Sequence, residues 1–363
     1  MPARLTRSPL LEVRCPRRFA GIAPSLATAQ TERGAWPTDG WGTAAPEDHG
    51  IDPAALAAVD ARVPGETPDL SALLVIRHGY LVFEGSYNDY DPEEPINIRS
   101  VTKSITGALI GIALAEGKLT SLEQTVGELI PERIPAGADP RVADITLEQL
   151  LTMTSGLAWD AGSDWPTLTA SDNWVDLTLS QPIVGVPGET YVYNTGGSHL
   201  LGVIVEAVTG QQAEEYAQAQ LFDPLGIEPG EWMQSPQDEP SGGSGLELTA
   251  RDMAKVGYLF LNQGRWNGEQ IVPEDFVQAA TSYQSLGDAT GAYANYGYQW
   301  WITATDAGYP AYFALGYGGQ HIFVVPALDL VVVAAIERRV APEELATPRF
   351  LIESIAAATT PDV

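Results

Sequence analysis

Ser100 and Lys103 stand three residues apart in the run Asn97-Ile98-Arg99-Ser100-Val101-Thr102-Lys103. On a helix, residues at i and i+3 face the same way, so this spacing lets a lysine amine reach a serine hydroxyl. A hydroxyl is a weak nucleophile until an adjacent base takes its proton. Lysine is such a base only where its surroundings favour the neutral amine, as apolar surroundings do. The residues that follow, Ile105 to Leu114, are nearly all apolar or small. A helix that is apolar all round is buried between layers. Its N-terminus also brings positive potential and free N–H groups beside the serine, which favours a developing oxyanion. The plainer reading is Ser100 as a helix N-cap and Lys103 as a solvated side chain, although a cation in the first turn opposes the helix dipole.

Other chemistry is poorly represented. The chain has no G-x-S-x-G elbow, no H-E-x-x-H, no C-x-x-C and no phosphate-binding loop. Its four histidines are His49, His78, His199 and His321. None pairs with a nearby acid at metal-ligand spacing, so no metal is expected, and a serine acyl-enzyme needs no cofactor. His78 falls in a hairpin turn, and His199 falls inside a helical run and reads as a satisfied structural histidine. The single Cys15 cannot form an internal disulfide.

The elements that must position Ser100 and Lys103 can be read from periodicity. Pro53 to Val63 reads as an amphipathic helix. Ala72 to Arg77 and Tyr80 to Glu84 read as a hairpin turning at His78-Gly79. Val101 to Glu116 reads as the buried helix, stopped by Gly117. Helices are expected at Thr146 to Met153 (opened by the capping box Thr146-x-x-Gln149), Gly196 to Val208, Gln211 to Leu221, Ala250 to Asn262 and Pro273 to Ala280. Strands return at Tyr296 to Ile302, Tyr312 to Leu315, Gln320 to Val325 and Leu330 to Ile336, before a last helix at Pro342 to Ala358. Strands at both ends and helices between predict an antiparallel sheet made from N- and C-terminal pieces around a helical insertion.

The text around Ser100 resembles the nucleophile segment of the penicillin-recognising serine hydrolases: class C β-lactamases, D-Ala-D-Ala carboxypeptidases, family VIII esterases and 6-aminohexanoate-dimer hydrolases. Further matches fall in order. Leu150-Leu151-Thr152-Met153-Thr154-Ser155-Gly156-Leu157 resembles the family's "LLTHTSGL" helix and turn, with Met153 where histidine is common. Pro187-Gly188-Glu189-Thr190-Tyr191-Val192-Tyr193-Asn194 resembles its tyrosine loop, Leu248 to Ala254 its late helix entry, and Gly316-Tyr317-Gly318-Gly319-Gln320 the start of its last motif strand.

The resemblance spans roughly Trp36 to Ile336. It implies a β-lactamase/transpeptidase-like α/β (α+β) fold. It implies Tyr193 as a proton-transfer partner of Lys103, and an oxyanion hole made by the Ser100 N–H and a main-chain N–H at Tyr317, flanked by Gly316 and Gly318. Two departures matter. The family's Tyr-x-Asn becomes Tyr193-Asn194-Thr195, so Asn194 or Thr195 supplies the polar contact. No Lys-Thr-Gly occurs, since the chain has three lysines, Lys103, Lys118 and Lys255, followed by Ser-Ile, Leu-Thr and Val-Gly. That disfavours β-lactams and favours an ester or a small amide.

Composition bounds the rest. The chain has 363 residues, 45% hydrophobic, with 19 Lys+Arg against 47 Asp+Glu, a net charge of -28. So acidic a surface repels phosphates and makes nucleic acid a poor partner. No apolar run reaches the length of a membrane span. Residues 1–35 read as a tail or a weak leader, with the location cytoplasmic or exported. Residues 36–363 read as one two-lobed catalytic unit, with a sheet lobe at about 51–105 and 246–363 and a helical lobe at about 106–245. The expectation is a serine hydrolase acting on a small-molecule ester or amide through a Ser100 acyl-enzyme. The rivals are a β-lactamase or D-Ala-D-Ala carboxypeptidase, and a non-catalytic binding protein on the same scaffold. Oligomeric state is left open.

Overall fold

The run Leu330-Val331-Val332-Val333-Ala334-Ala335 contains no polar residue, the mark of a strand covered on both faces. The computed structural model, which describes residues 35–160, 162–287, 295–337 and 349–362, places it near the middle of a large sheet. The strands of that sheet are β1 (Ala72–Arg77), β2 (Tyr80–Ser86), β3 (Ser285–Leu286), β4 (Asn295–Tyr296), β5 (Trp301–Ala304), β6 (Pro310–Gly316), β7 (Gln320–Val325) and β8 (Leu330–Ala335). Among the described residues their order is β2-β1-β8-β7-β6-β5-β4-β3. Every neighbouring pair is antiparallel, with Leu74 opposite Val333 and Phe323 opposite Val332. The N-terminal hairpin therefore closes onto the C-terminal strand, as the two-ended distribution of strands predicts.

Alternation along the strands divides the core in two. Leu73, Val75, Phe323 and Val332 pack with α1 (Pro53–Glu66) and the C-terminal helix Arg349–Ala357. Leu74, Ile76, Ile322 and Val333 pack on the other face with α2 (Thr102–Ala115) and the helix Ala250–Leu261. Further from the sheet lie α3 (Leu147–Leu151) and α4 (Thr195–Thr209), which also contribute to this second core. From Thr102 to Ala113 every residue of α2 is buried. That all-round burial is what its composition predicts.

Local signals behaved as their physics requires. Thr146 and Gln149 make the reciprocal capping box of α3, and α4 ends at Gly210 in the left-handed conformation. Two readings need correction. Tyr296 to Ile302 is not one strand but two, β4 and β5, joined by a turn in which Gln299 has φ 61 and Gly297 N–H donates to Trp300 O at 2.8 Å. The helix expected over Gln211 to Leu221 runs instead without a gap from Ala213 to Leu225 and widens by one residue per turn at Gln218–Phe222. The tail, Cys15 and the first turns of the last expected helix, 342–348, lie outside the described residues. No helix among the described residues is long and apolar enough to cross a membrane.

Candidate active site

The backbone that carries Ser100 is clamped before the helix begins. Ile96 pairs with Leu248, and Ile98 N–H donates to Leu246 O at 2.9 Å. Arg99 follows at φ 54, a left-handed conformation that costs a non-glycine residue about 1 kcal/mol. Asn97 Oδ1 accepts Arg99 N–H at 2.9 Å and Thr102 Oγ1 donates to Arg99 O at 2.6 Å, which holds that conformation in place. The chain makes one 3₁₀ turn, Arg99–Val101, and enters α2 at Thr102. Ser100 thus sits half-buried at the mouth of a buried helix.

One turn on, Lys103 is 1% exposed. Its Nζ lies 3.1 Å from Ser100 Oγ, 3.2 Å from Thr195 Oγ1 and 2.6 Å from Gly243 O. No carboxylate is among these contacts. Burial alone lowers the Lys103 pKa to about 7. The solvated reading of Lys103 is thereby excluded. The Gly243 carbonyl arrives through a tight gap: a Cβ on Gly243 would stand 2.7 Å from Thr195 O and from Thr195 Cγ2. Only a residue without a side chain lets this loop lie against α4 and still reach α2. Thr106 Oγ1 donates to Gly242 O at 2.8 Å and fixes the same loop.

Tyr193 immediately precedes Asn194, the N-cap of α4, and lies beside both groups. Ser100 is close enough to act on its phenol, and its ring centroid is 5.0 Å from Lys103 Nζ. Burial raises its pKa to about 12, so the phenol keeps its proton at neutral pH. Trp301 stacks on the ring at 5.6 Å between centroids, and Tyr296 meets it edge-on. Trp301 is thereby part of the wall around Tyr193, whereas Trp174 and Trp300 are buried in the core.

The remaining site candidates separate. Asn194 Oδ1 accepts Gly197 N–H at 2.8 Å and caps α4, and the next residue, Thr195, is a polar neighbour of the amine. An N-cap asparagine satisfies an otherwise orphaned helix donor. Gly316 ends β6 against the nucleophile turn: a Cβ there would stand 2.5 Å from Ile98 O. What approaches this glycine is therefore the chain's own backbone. Gly318, at φ 94, faces open space, and the Tyr317 side chain is 56% exposed.

Gly243 was missed in the sequence; its signal was the glycine-rich run Ser241-Gly242-Gly243-Ser244-Gly245. Away from the site, His199 is buried edge-on to Trp174, its Nε2 3.7 Å from Glu239 Oε2, an ion-pair distance and not a hydrogen bond. Neither ring nitrogen has a hydrogen-bond partner, so the satisfied histidine expected there is not what the structure holds. Among the described residues no group of three or more His, Cys, Asp or Glu side chains could hold a metal ion.

A family model described as "Beta-lactamase" matches residues 66–357. The chain is 26% identical over 303 residues to a 6-aminohexanoate-dimer hydrolase of Paenarthrobacter ureafaciens, covering 77% of this chain and 76% of that protein. It is 30% identical over 177 residues to esterase EstB of Burkholderia gladioli, covering 42% and 44%. Its fold resembles that of a penicillin-binding protein homologue from Caulobacter crescentus, with a TM-score of 0.66 at 19% identity, covering 85% of this chain and 99% of that one.

Proposed function

This chain belongs to the beta-lactamase family and is a serine hydrolase, and from that premise we propose that Ser100 attacks an ester or amide carbonyl with Lys103 as its base. The observation that carries the reading is the set of three contacts at Lys103 Nζ. A neutral amine has two N–H groups. Gly243 O and Thr195 Oγ1 stand where they accept both. The lone pair of the neutral amine is then left to take the proton of the Ser100 hydroxyl, whose Oγ lies 3.1 Å from Nζ. A pKa lowered to about 7 by burial brings the neutral amine within reach at neutral pH.

Attack forms a tetrahedral intermediate and places the serine proton on Lys103. Tyr193, beside Ser100 and still protonated, passes a proton to the leaving group and recovers one through Lys103. Loss of the alcohol or amine leaves an acyl group on Ser100 Oγ. Water then attacks that acyl group and returns the free acid and the serine. The Ser100 and Tyr317 N–H groups serve the oxyanion. Support comes from Gly316, whose lack of a side chain lets the end of β6 lie against Ile98 O and so brings the Tyr317 turn beside the Ser100 turn.

The substrate is an ester or small linear amide, in preference to a β-lactam. Neither other lysine stands near Ser100: Lys118 follows the far end of α2, and Lys255 is buried with its Nζ on Gly226 O and Asp252. Activity on p-nitrophenyl butyrate, a chromogenic cephalosporin and a linear aminohexanoate dimer separates the classes. We expect turnover of the butyrate or the dimer at least about a hundredfold above the cephalosporin in kcat/KM. A fluorophosphonate probe should label Ser100, and Lys103→Ala should abolish labelling and lower kcat/KM by about a thousandfold. Undiminished labelling in Lys103→Ala sinks the mechanism; preference for the cephalosporin sinks the substrate assignment.

A further inference from the structure

Met153 has φ 59, a left-handed conformation, and is 2% exposed. It follows the end of α3, where a residue turning out of a helix in this conformation is ordinarily glycine or asparagine. A methionine there carries strain that a glycine would relieve, so its side chain must be held by its surroundings. Two contacts do this. Val192 N–H donates to Met153 O at 2.8 Å, and Asn194 N–H donates to Met153 Sδ at 3.3 Å. These donors flank Tyr193 on either side. The left-handed turn aims the carbonyl at the 192–194 segment, and the side chain belongs to the buried cluster, with Tyr296 and Trp301, against which Tyr193 packs. Met153 is itself anchored. Its own N–H donates to Leu150 O, and the neighbouring Thr152 O accepts the Ser285 hydroxyl at 2.7 Å.

We propose that Met153 is a positioning residue for catalysis: its carbonyl and thioether bracket Tyr193 and set the phenol against Ser100 and Lys103. A thioether is a weak acceptor, so its importance lies in placement more than in energy. The Asn194 N–H is buried and needs an acceptor to stay where it is. Misplacement of a reacting group by about 1 Å lowers rates by up to about a hundredfold. The inference rests on the role proposed above for Tyr193.

The test compares wild type, Met153→Leu, Met153→Gln and Ser100→Ala on p-nitrophenyl butyrate, with active sites counted by a fluorophosphonate. Leucine keeps the apolar bulk and removes the acceptor; glutamine supplies an amide oxygen. Per labelled site, Met153→Leu should lower kcat about tenfold with KM within twofold. The acidic limb of its kcat profile should move to higher pH, because a displaced Tyr193 ring admits water to Lys103. Met153→Gln should recover most of kcat. A Met153→Leu enzyme with wild-type kcat and pH limb per labelled site overturns the proposal. So does a loss confined to the number of labelled sites, or a Met153→Gln enzyme as slow as Met153→Leu. Full activity in Ser100→Ala, or in Tyr193→Phe assayed alongside it, overturns the underlying reading instead, so the two failures are told apart.

Discussion

Lys103 is a buried amine with no carboxylate among its hydrogen-bonding contacts, and that has a consequence for stability as well as for catalysis. Its pKa falls from 10.5 to about 7 because burial disfavours the ammonium. The sign follows from proton counting. Between pH 7 and about 10.5 the unfolded chain binds a proton that the folded chain does not, so this site's contribution to stability rises with pH in that window. The destabilisation is complete below about 7 and gone above about 10.5. Lys103→Met removes the titration and leaves the Gly243 carbonyl unpartnered. The variant should therefore be more stable than wild type by about 2 kcal/mol at pH 7, with the advantage lost and reversed as pH approaches 10, where the titration penalty has gone and the unpartnered carbonyl remains. Thermal unfolding at pH 7, 8.5 and 10 measures it, and a difference independent of pH would exclude the argument. Catalytic placement is here opposed to stability at one residue.

At the scale of elements, the site is a junction of backbones more than a collection of side chains. The Ser100 turn touches the end of β6 at Gly316, and the loop at Gly243 touches α4. Gln299 ties the same pieces together from below. Its O accepts the Ser104 hydroxyl of α2, its Oε1 accepts the Ser198 hydroxyl of α4, and its Nε2 donates to Leu151 O of α3. These contacts predict that a methyl group at Gly316 damages activity before it damages the fold. Gly316→Ala must move the Ile98 carbonyl or β6 itself, and kcat/KM should fall about tenfold or more. Gly117→Ala is the control. That glycine has φ 69 in open space beyond the far end of α2, so the substitution strains the backbone without touching the site. Urea unfolding and kinetics on both variants test this, and equal losses of activity would refute it.

At the scale of the whole molecule, a net charge of -28 surrounds the site. A field of that sign lowers the local concentration of anionic substrates and leaves neutral ones alone. Salt screens it over a Debye length of about 10 Å at 0.1 M. Raising ionic strength from about 0.02 to 0.2 M should increase kcat/KM severalfold for an ester bearing a carboxylate and change it by less than twofold for its neutral amide analogue. Parallel responses in the two would remove charge as a determinant of specificity. The same charge says nothing about the fold, which came from pattern. The apolar run at Leu330 to Ala335, the capping box at Thr146 and the S-x-x-K spacing were legible because each depends on neighbours within a few residues. So was the pairing of N- and C-terminal strands, since apolar strands at the two ends of the chain must pair to bury themselves. What the sequence by itself determined is therefore the chemistry available: a serine, a lysine on its face of a buried helix, a tyrosine loop and no lysine to spare. Tertiary structure alone decided that Thr195 meets the amine, that Gly243 supplies its acceptor, and that Met153 brackets Tyr193. Each of these depends on backbones that approach across 40 to 140 residues of chain. Such approach is set by how closely the elements pack, which local spacing does not encode.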